Sequence, residues 1–215
     1  MRVVPVALFA KPPLPGVAKT RLAAEIGDAA AAAVAAALLA DAWAVVAAAP
    51  GVRPVLATTD PQADHGLGAV DAWDQGGGDL GARVERVLRR GVAESGACIA
   101  LGADTVGLSW ADLAAVVAGL DRAPAVLGRS EDGGFWVLGL RSVPEGLLAD
   151  LPWSAAQTGE ATAARLRSRL GALEEVAVRW DVDEPADLAR VAAEARAGRI
   201  PRGATATLAC RLVPG

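Results

Sequence analysis

Three cations, Lys11, Lys19 and Arg21, stand within eleven residues near the start of this 215-residue chain, in the segment FAKPPLPGVAKTRL at positions 9–22. Side chains of this type hold anions, and a guanidinium grips a phosphate through two parallel hydrogen bonds. The loop between them carries Pro12, Pro13, Pro15 and Gly16, and its prolines make it stiff. It is not a Walker A loop, because Gly16 lies three residues before Lys19 and no Gly-Lys-Thr occurs. A P-loop kinase or ATPase is therefore disfavoured; the bland alternative is a solvated basic turn.

Carboxylates recur further along: Asp60, Asp104, Glu131 with Asp132, and the pair Asp181 and Asp183. Alternate residues on an extended segment point the same way, so Asp181 and Asp183 could grip one cation. The competing reading is that one of them caps a helix starting near Pro185, which explains one aspartate but not both. Cations and carboxylates on one rim suit a phosphorylated ligand held with a divalent metal, and oxygen ligands select hard ions such as Mg²⁺ or Mn²⁺. The segment QGGGDLGAR at 75–83 is a Gly-rich loop opening a helix. Glycine there lets a flat ligand approach the backbone, and Gln75 could read the edge of a base; the alternative is a merely flexible loop. Trp153, in LPWS, is the tryptophan placed nearest an acceptor pocket, the other five being assigned to packing.

The elements that must position these residues alternate. Strands are expected at 3–9, 53–58, 70–73, 98–101, 125–127, 135–140 and 175–180. Helices are expected at 28–48, opening near a capping Asp28, and at 79–94, 111–120, 159–170 and 184–197. Ser109 is a cap for the third helix, with Asp112 in its first turn. Strands alternating with helices of ten or more residues imply βαβ units and a mainly parallel sheet, in an α/β three-layer sandwich. In such sheets ligands bind outside the carboxyl ends of the strands, which is where the cations, Thr59, Asp60 and the acids fall. One domain over 1–197 is expected, with 198–215 as a loose extension or an edge strand.

Composition narrows the classes. The net charge of −4 and pI of about 5.1 give no bulk case for nucleic-acid binding. Two cysteines are too few for a disulfide scaffold or a structural zinc site; Cys98 reads as a small buried hydrophobe and the single His65 as a surface loop residue. The N-terminus lacks a convincing cleavage site, and the alanine-rich run 29–49 carries Asp41, so a helix packed on a sheet is expected rather than a membrane span. The expected protein is cytoplasmic, a monomer or homodimer, with a nucleotide and a small-molecule acceptor as partners and neither nucleic acid nor membrane.

The segments at 9–22 and 75–83, GADT at 102–105, EDGGFW at 131–136, PWS at 152–154 and DVDEPADL at 181–188 occur in the order of a bacterial family. The chain resembles, over roughly residues 1–195, the DUF2064 family of glycosyltransferase-like proteins in the nucleotide-diphospho-sugar transferase superfamily. The resemblance implies a GT-A fold, a Rossmann-like mixed sheet. It is more distantly similar to guanylyltransferases that activate phospholactate or phosphoenolpyruvate. By that resemblance Asp104, Asp181 and Asp183 hold Mg²⁺ (or Mn²⁺). The family continues Gly-Ala-Asp-Ser-Pro-Asp; here Val106 and Gly107 replace its proline and second acid, while Thr105 keeps the hydroxyl.

The leading expectation is nucleotidyl transfer: a small phosphorylated acceptor attacks the α-phosphorus of a nucleoside triphosphate and pyrophosphate leaves. Lys19, Arg21 and Asp132 are the catalytic candidates. Lys11, Gly16, Lys19, Thr20, Arg21, Gln75 and Gly81 are assigned to the nucleotide, and Glu131, Asp132, Gly133, Gly134, Trp153 and Ser154 to the acceptor. Glycosyl transfer from a nucleotide-sugar is the alternative, with Asp132 as a possible base. It accounts less well for the basic first loop, and Asp104 is not followed by the Asp-x-Asp usual there. A nucleotide-binding protein without catalysis is the third reading.

Overall fold

The computed structural model describes residues 3–214, so residues 1 and 2 and the last residue of the tail lie outside it. In chain order the elements are β1 (Val4–Ala10), α1 (Thr20–Ile26), α2 (Asp28–Ala48), β2 (Val52–Thr58), β3 (Ala72–Asp74), α3 (Leu80–Ser95), β4 (Cys98–Gly102), α4 (Trp110–Arg122), β5 (Ala125–Ser130), β6 (Phe135–Leu140), α5 (Thr158–Leu170), β7 (Glu174–Arg179), α6 (Pro185–Arg196) and α7 (Ala204–Leu212). The strands form one sheet in the order β3-β2-β1-β4-β6-β5-β7. Only β6 runs against its neighbours, β4 and β5.

Helices cover both faces, which is why the central strands are apolar throughout rather than alternating. Val4, Val6 and Leu8 of β1 pack on one side with Leu39 and Val46 of α2 and with Leu113, Val116 and Leu120 of α4. Ala7 packs on the other with Val84, Val87 and Leu88 of α3 and with Ala163 and Leu166 of α5. Each fully buried leucine in these layers contributes about 2 kcal/mol. The long α2 meets a length-and-composition test for crossing a membrane, yet here it lies against the sheet, burying Ala31, Val34, Leu38, Leu39, Ala42 and Val46.

Four local features depart from the sequence reading. The basic loop feeds a separate short helix, α1, with Gly27 between it and α2, and Asp28 is the first residue of α2 rather than its cap. The tail is neither loose nor a strand: it forms α7, whose Ala209 packs in a third apolar cluster with α1, α2 and α6. The cap of α7 comes from α2, because Asp41 accepts the amides of Ala204 and Thr205 at 2.8 and 2.9 Å. His65 sits in a loop but is buried: its Nδ1–H donates to the Ala63 carbonyl, and Nε2 accepts from the Thr58 hydroxyl. Ser109 and Asp112 form the expected start of α4, as a reciprocal capping box.

Candidate active site

The carboxyl ends of β1, β4, β5 and β7 open onto one rim. Just past β4 and β7, residue 105 bridges residue 181 in antiparallel fashion, with Val182 N–H on the Asp104 carbonyl at 3.1 Å and Val106 N–H on the Trp180 carbonyl at 3.1 Å. That short ladder brings Asp104, Asp181 and Asp183 together. Neither Asp181 nor Asp183 caps α6; Asp187 takes the amides of Asp183 and Glu184.

Lys19 reaches into this acidic cluster. Its ammonium lies 2.7 Å from Asp104 and 4.0 Å from Asp183, while Arg21 holds Asp183 at 2.8 Å. Burial alone would lower the Lys19 ammonium, but Asp104, with Asp183 and Asp181 behind it, outweighs burial and holds it above its ordinary value. Burial opposes ionisation of Asp104 too, and Lys19 carries its carboxyl below the usual range. Among the described residues no cation pairs with Asp181 directly. Thr105 and Ser130 hydroxyls donate to its two oxygens at 2.9 and 2.8 Å. Burial, then the charge of Asp104, pushes its carboxyl up to about 6.

An acid raised in the folded state costs stability as pH rises from about 4 to 6 and throughout the range above. Replacing Asp181 with asparagine is therefore expected to stabilise the metal-free protein by about 1 kcal/mol at pH 7.5, the gain fading below about pH 4. One hydroxyl, Thr105 or Ser130, turns to accept from the new amide. Urea unfolding across pH checks this; no gain at any pH refutes a cost of ionising Asp181.

Two lobes meet at the acids. One, of about 490 Å³, is lined by Lys11, Lys19, Thr20, Arg21, Gln75 and Arg83 among others. The second, of about 520 Å³, is lined by Asp132, Gly134, Phe135, Trp153, Ser154 and Thr158 among others. Arg21, Leu80, Asp104 and Asp183 line both. The structure thus gathers Lys11, Lys19 and Thr20 on the basic lobe, Asp132, Gly134 and Trp153 on the other, and Arg21 and Ser154 on both.

Several expected contributors are engaged elsewhere. Gly16 is exposed and lines neither lobe, as do Thr59 and Asp60. Gln75 borders the basic lobe, but its amide nitrogen donates to the Ala57 carbonyl at 2.8 Å and its oxygen accepts from Arg83 at 3.4 Å. The Gly-rich loop is pinned rather than flexible, since Arg86 donates to the Gln75 and Gly77 carbonyls. Gly81 serves packing: a Cβ there would stand 2.5 Å from Trp153 Nε1 and 2.6 Å from the Leu148 carbonyl. Glu131 turns away from the cleft to a two-point ion pair with Arg190 of α6, at 2.6 and 3.1 Å, and Arg190 stacks on Trp180. Gly133 supports the cleft from behind, its carbonyl accepting the Gly159 amide at the start of α5. The sequence reading missed Ser130, which orients Asp181, and Arg83 and Phe135, which line the lobes. A β-strand that ends in Ser just before an acidic Gly-Gly turn was the available signal for the first.

The acids suit a divalent ion by chemistry: they are oxygen donors, and a cation would relieve the cost that burial and the nearby Asp104 place on the Asp181 carboxylate. No trio of His, Cys, Asp or Glu among the described residues encloses a metal unaided. Mg²⁺ is commonly held by one or two carboxylates plus substrate phosphates, so such a cage is not required.

The whole fold matches that of a protein from Desulfovibrio desulfuricans G20 described as a nucleotide-diphospho-sugar transferase, with TM-score 0.85 and 22% identity over 97% of this chain and 94% of the other. It also matches a CMP:2-keto-3-deoxy-manno-octonic acid synthetase complexed with CTP, with TM-score 0.60 and 17% identity over 92% of this chain and 100% of that one. Glucosyl-3-phosphoglycerate synthase from Mycobacterium tuberculosis, in complex with Mn²⁺, UDP and glucosyl-3-phosphoglycerate, matches with TM-score 0.51 and 13% identity over 93% of this chain and 81% of that one. These likenesses establish the GT-A fold. No curated protein matches the sequence. Residues 29–155, more than half of the 215, match the model of the uncharacterized proteins conserved in bacteria, and the chain belongs to that family, DUF2064.

Proposed function

We propose that the protein is a metal-dependent nucleotidyltransferase that joins a nucleoside triphosphate to a small acceptor and releases pyrophosphate. The observation that carries the reading is the pair of lobes, one basic and one not, meeting at Asp104 and Asp183. The fold is shared with a synthetase complexed with CTP. Lys11, Lys19 and Arg21 would bind the triphosphate, with Lys19 and Arg21 leaving their carboxylate partners to do so. Such a reaction needs no covalent nucleophile; it needs charge neutralised where it develops. Asp104, Asp181 and Asp183 would hold Mg²⁺ or Mn²⁺, which when bound would neutralise charge on the phosphates. Asp132, whose Oδ1 is fixed by the Gly134 amide at 2.9 Å, would orient the acceptor.

Glycosyl transfer from a nucleotide-sugar is the second reading, favoured by that same position of Asp132, where a base would be needed. A thermal-shift series with Mg²⁺ separates the two. Under nucleotidyl transfer, one triphosphate at one hundred times its dissociation constant should stabilise the protein by about 2.7 kcal/mol. Stabilisation by a nucleotide-sugar alone would overturn this in favour of glycosyl transfer. Asp183→Ala should abolish the metal-dependent part of the shift.

A further inference from the structure

We infer that the acceptor is a ring-bearing hydroxyl compound without a phosphate, of the sugar, aminosugar or cyclitol class; this rests on the nucleotidyl-transfer reading above. The charge in the second lobe decides against the phosphorylated acceptor expected from sequence. Of its carboxylates, Asp104 is paired with Lys19 and Asp183 with Arg21, and these two with Asp181 are the ones given to the metal; Asp132, on the same wall, has no cation paired with it among the described residues. A phosphate ester carried past the metal would meet Asp132 with no cation beside it. The basic lobe, with Lys11, Lys19, Arg21 and Arg83, is the one equipped for phosphates.

Part of the wall is aromatic. Trp153 and Phe135 meet edge to face, with centroids 6.0 Å apart and planes at 67°, and both border the lobe. Aromatic surface and a carboxylate in one lobe suit a sugar-like ring, which has a C–H face and polar edges. An ammonium substituent would find attractive charge rather than repulsion. At about 520 Å³ the lobe has room for such a ring beside the α-phosphate.

A hydroxyl acceptor also gives Asp132 a task that a phosphate would not. The hydroxyl oxygen forms the new bond to the α-phosphorus, and its proton passes to Asp132. The bond from that phosphorus to the bridging oxygen breaks, and its electron pair leaves with pyrophosphate. The product carries one phosphorus between nucleoside and acceptor; a phosphate acceptor would give two.

The test supplies the protein with Mg²⁺ and the triphosphate that stabilises it, plus one of two acceptor pools. One holds hexoses, glucosamine and inositol, and the other their phosphate esters. Pyrophosphate release and phosphorus NMR of the product are measured. Release with the first pool and a single-phosphorus diester are expected, with Asp132→Asn at least a hundredfold slower but unchanged in triphosphate affinity. Release only with the phosphate esters, or a two-phosphorus product, overturns the acceptor class and leaves nucleotidyl transfer standing. Release with neither pool also overturns the class. If in addition no triphosphate stabilises the protein, nucleotidyl transfer falls with it.

Discussion

Replacing Lys19 with glycine is expected to cut transfer by about a hundred- to a thousandfold, the usual cost of one charge-stabilising group, while leaving folding stability nearly unchanged. The two halves of this expectation come from different atoms. Lys19 is a non-glycine residue in the left-handed region, at φ 53° and ψ 46°, where L-residues pay about 1–2 kcal/mol. Glycine removes that strain. It also deletes the ion pair with Asp104, a carboxylate that other groups crowd yet whose side chain keeps 43% of its surface open to water, and it deletes the buried lysine stem, 10% exposed. The gain and the losses are of similar size, so urea midpoints should lie close together. Strain kept at a residue that lines the basic lobe fits the role proposed for it. Asp104, released from its cation, should bind Mg²⁺ more readily in the absence of nucleotide. A variant with full transfer activity would show that the ammonium is structural only.

What the sequence made legible, and what it did not, divides by the range of the interaction that fixes each feature. The strands, the long helices and the Ser109 cap were readable because both faces of the sheet are covered and the cap lies beside its helix. Their edges moved by one or two residues, except that β5 runs on to Ser130. The short α1 carries no side-chain cap, and α7 is capped by Asp41, more than one hundred and sixty residues earlier, so neither left a local signal. The acids of the site were identifiable by type and spacing. Their partners were not: Thr105 and Ser130 reach Asp181, and Arg190 draws Glu131 away, only after the chain has folded. Gly81 misled for a related reason. A glycine that admits a ligand and one that admits an indole look alike until Trp153 is seen against it.

Gly133→Ala should destabilise the protein by about 3 kcal/mol or more, and with it the second lobe. Two costs combine. Gly133 has φ +89°, a conformation in which a side chain is strained by about 1–2 kcal/mol. A Cβ there would also stand 2.0 Å from the Ala156 carbonyl oxygen, a backbone atom that no rotamer change can move. The β5–β6 turn would have to lift off the start of α5, breaking the 2.7 Å bond from the Gly159 amide to the Gly133 carbonyl. Asp132 and Gly134, which line the cleft on either side, would move with it. Gly16→Ala isolates the first cost: its φ is +74°, but nothing lies within 4 Å of the added carbon, so about 1 kcal/mol is expected. Urea unfolding of the pair measures the difference. Equal losses would mean that the turn is free to shift and that the Gly133–Ala156 contact does not fix Asp132. A larger loss at Gly133, with transfer falling in any folded fraction while triphosphate binding survives, would tie the geometry of the second lobe to this one close approach.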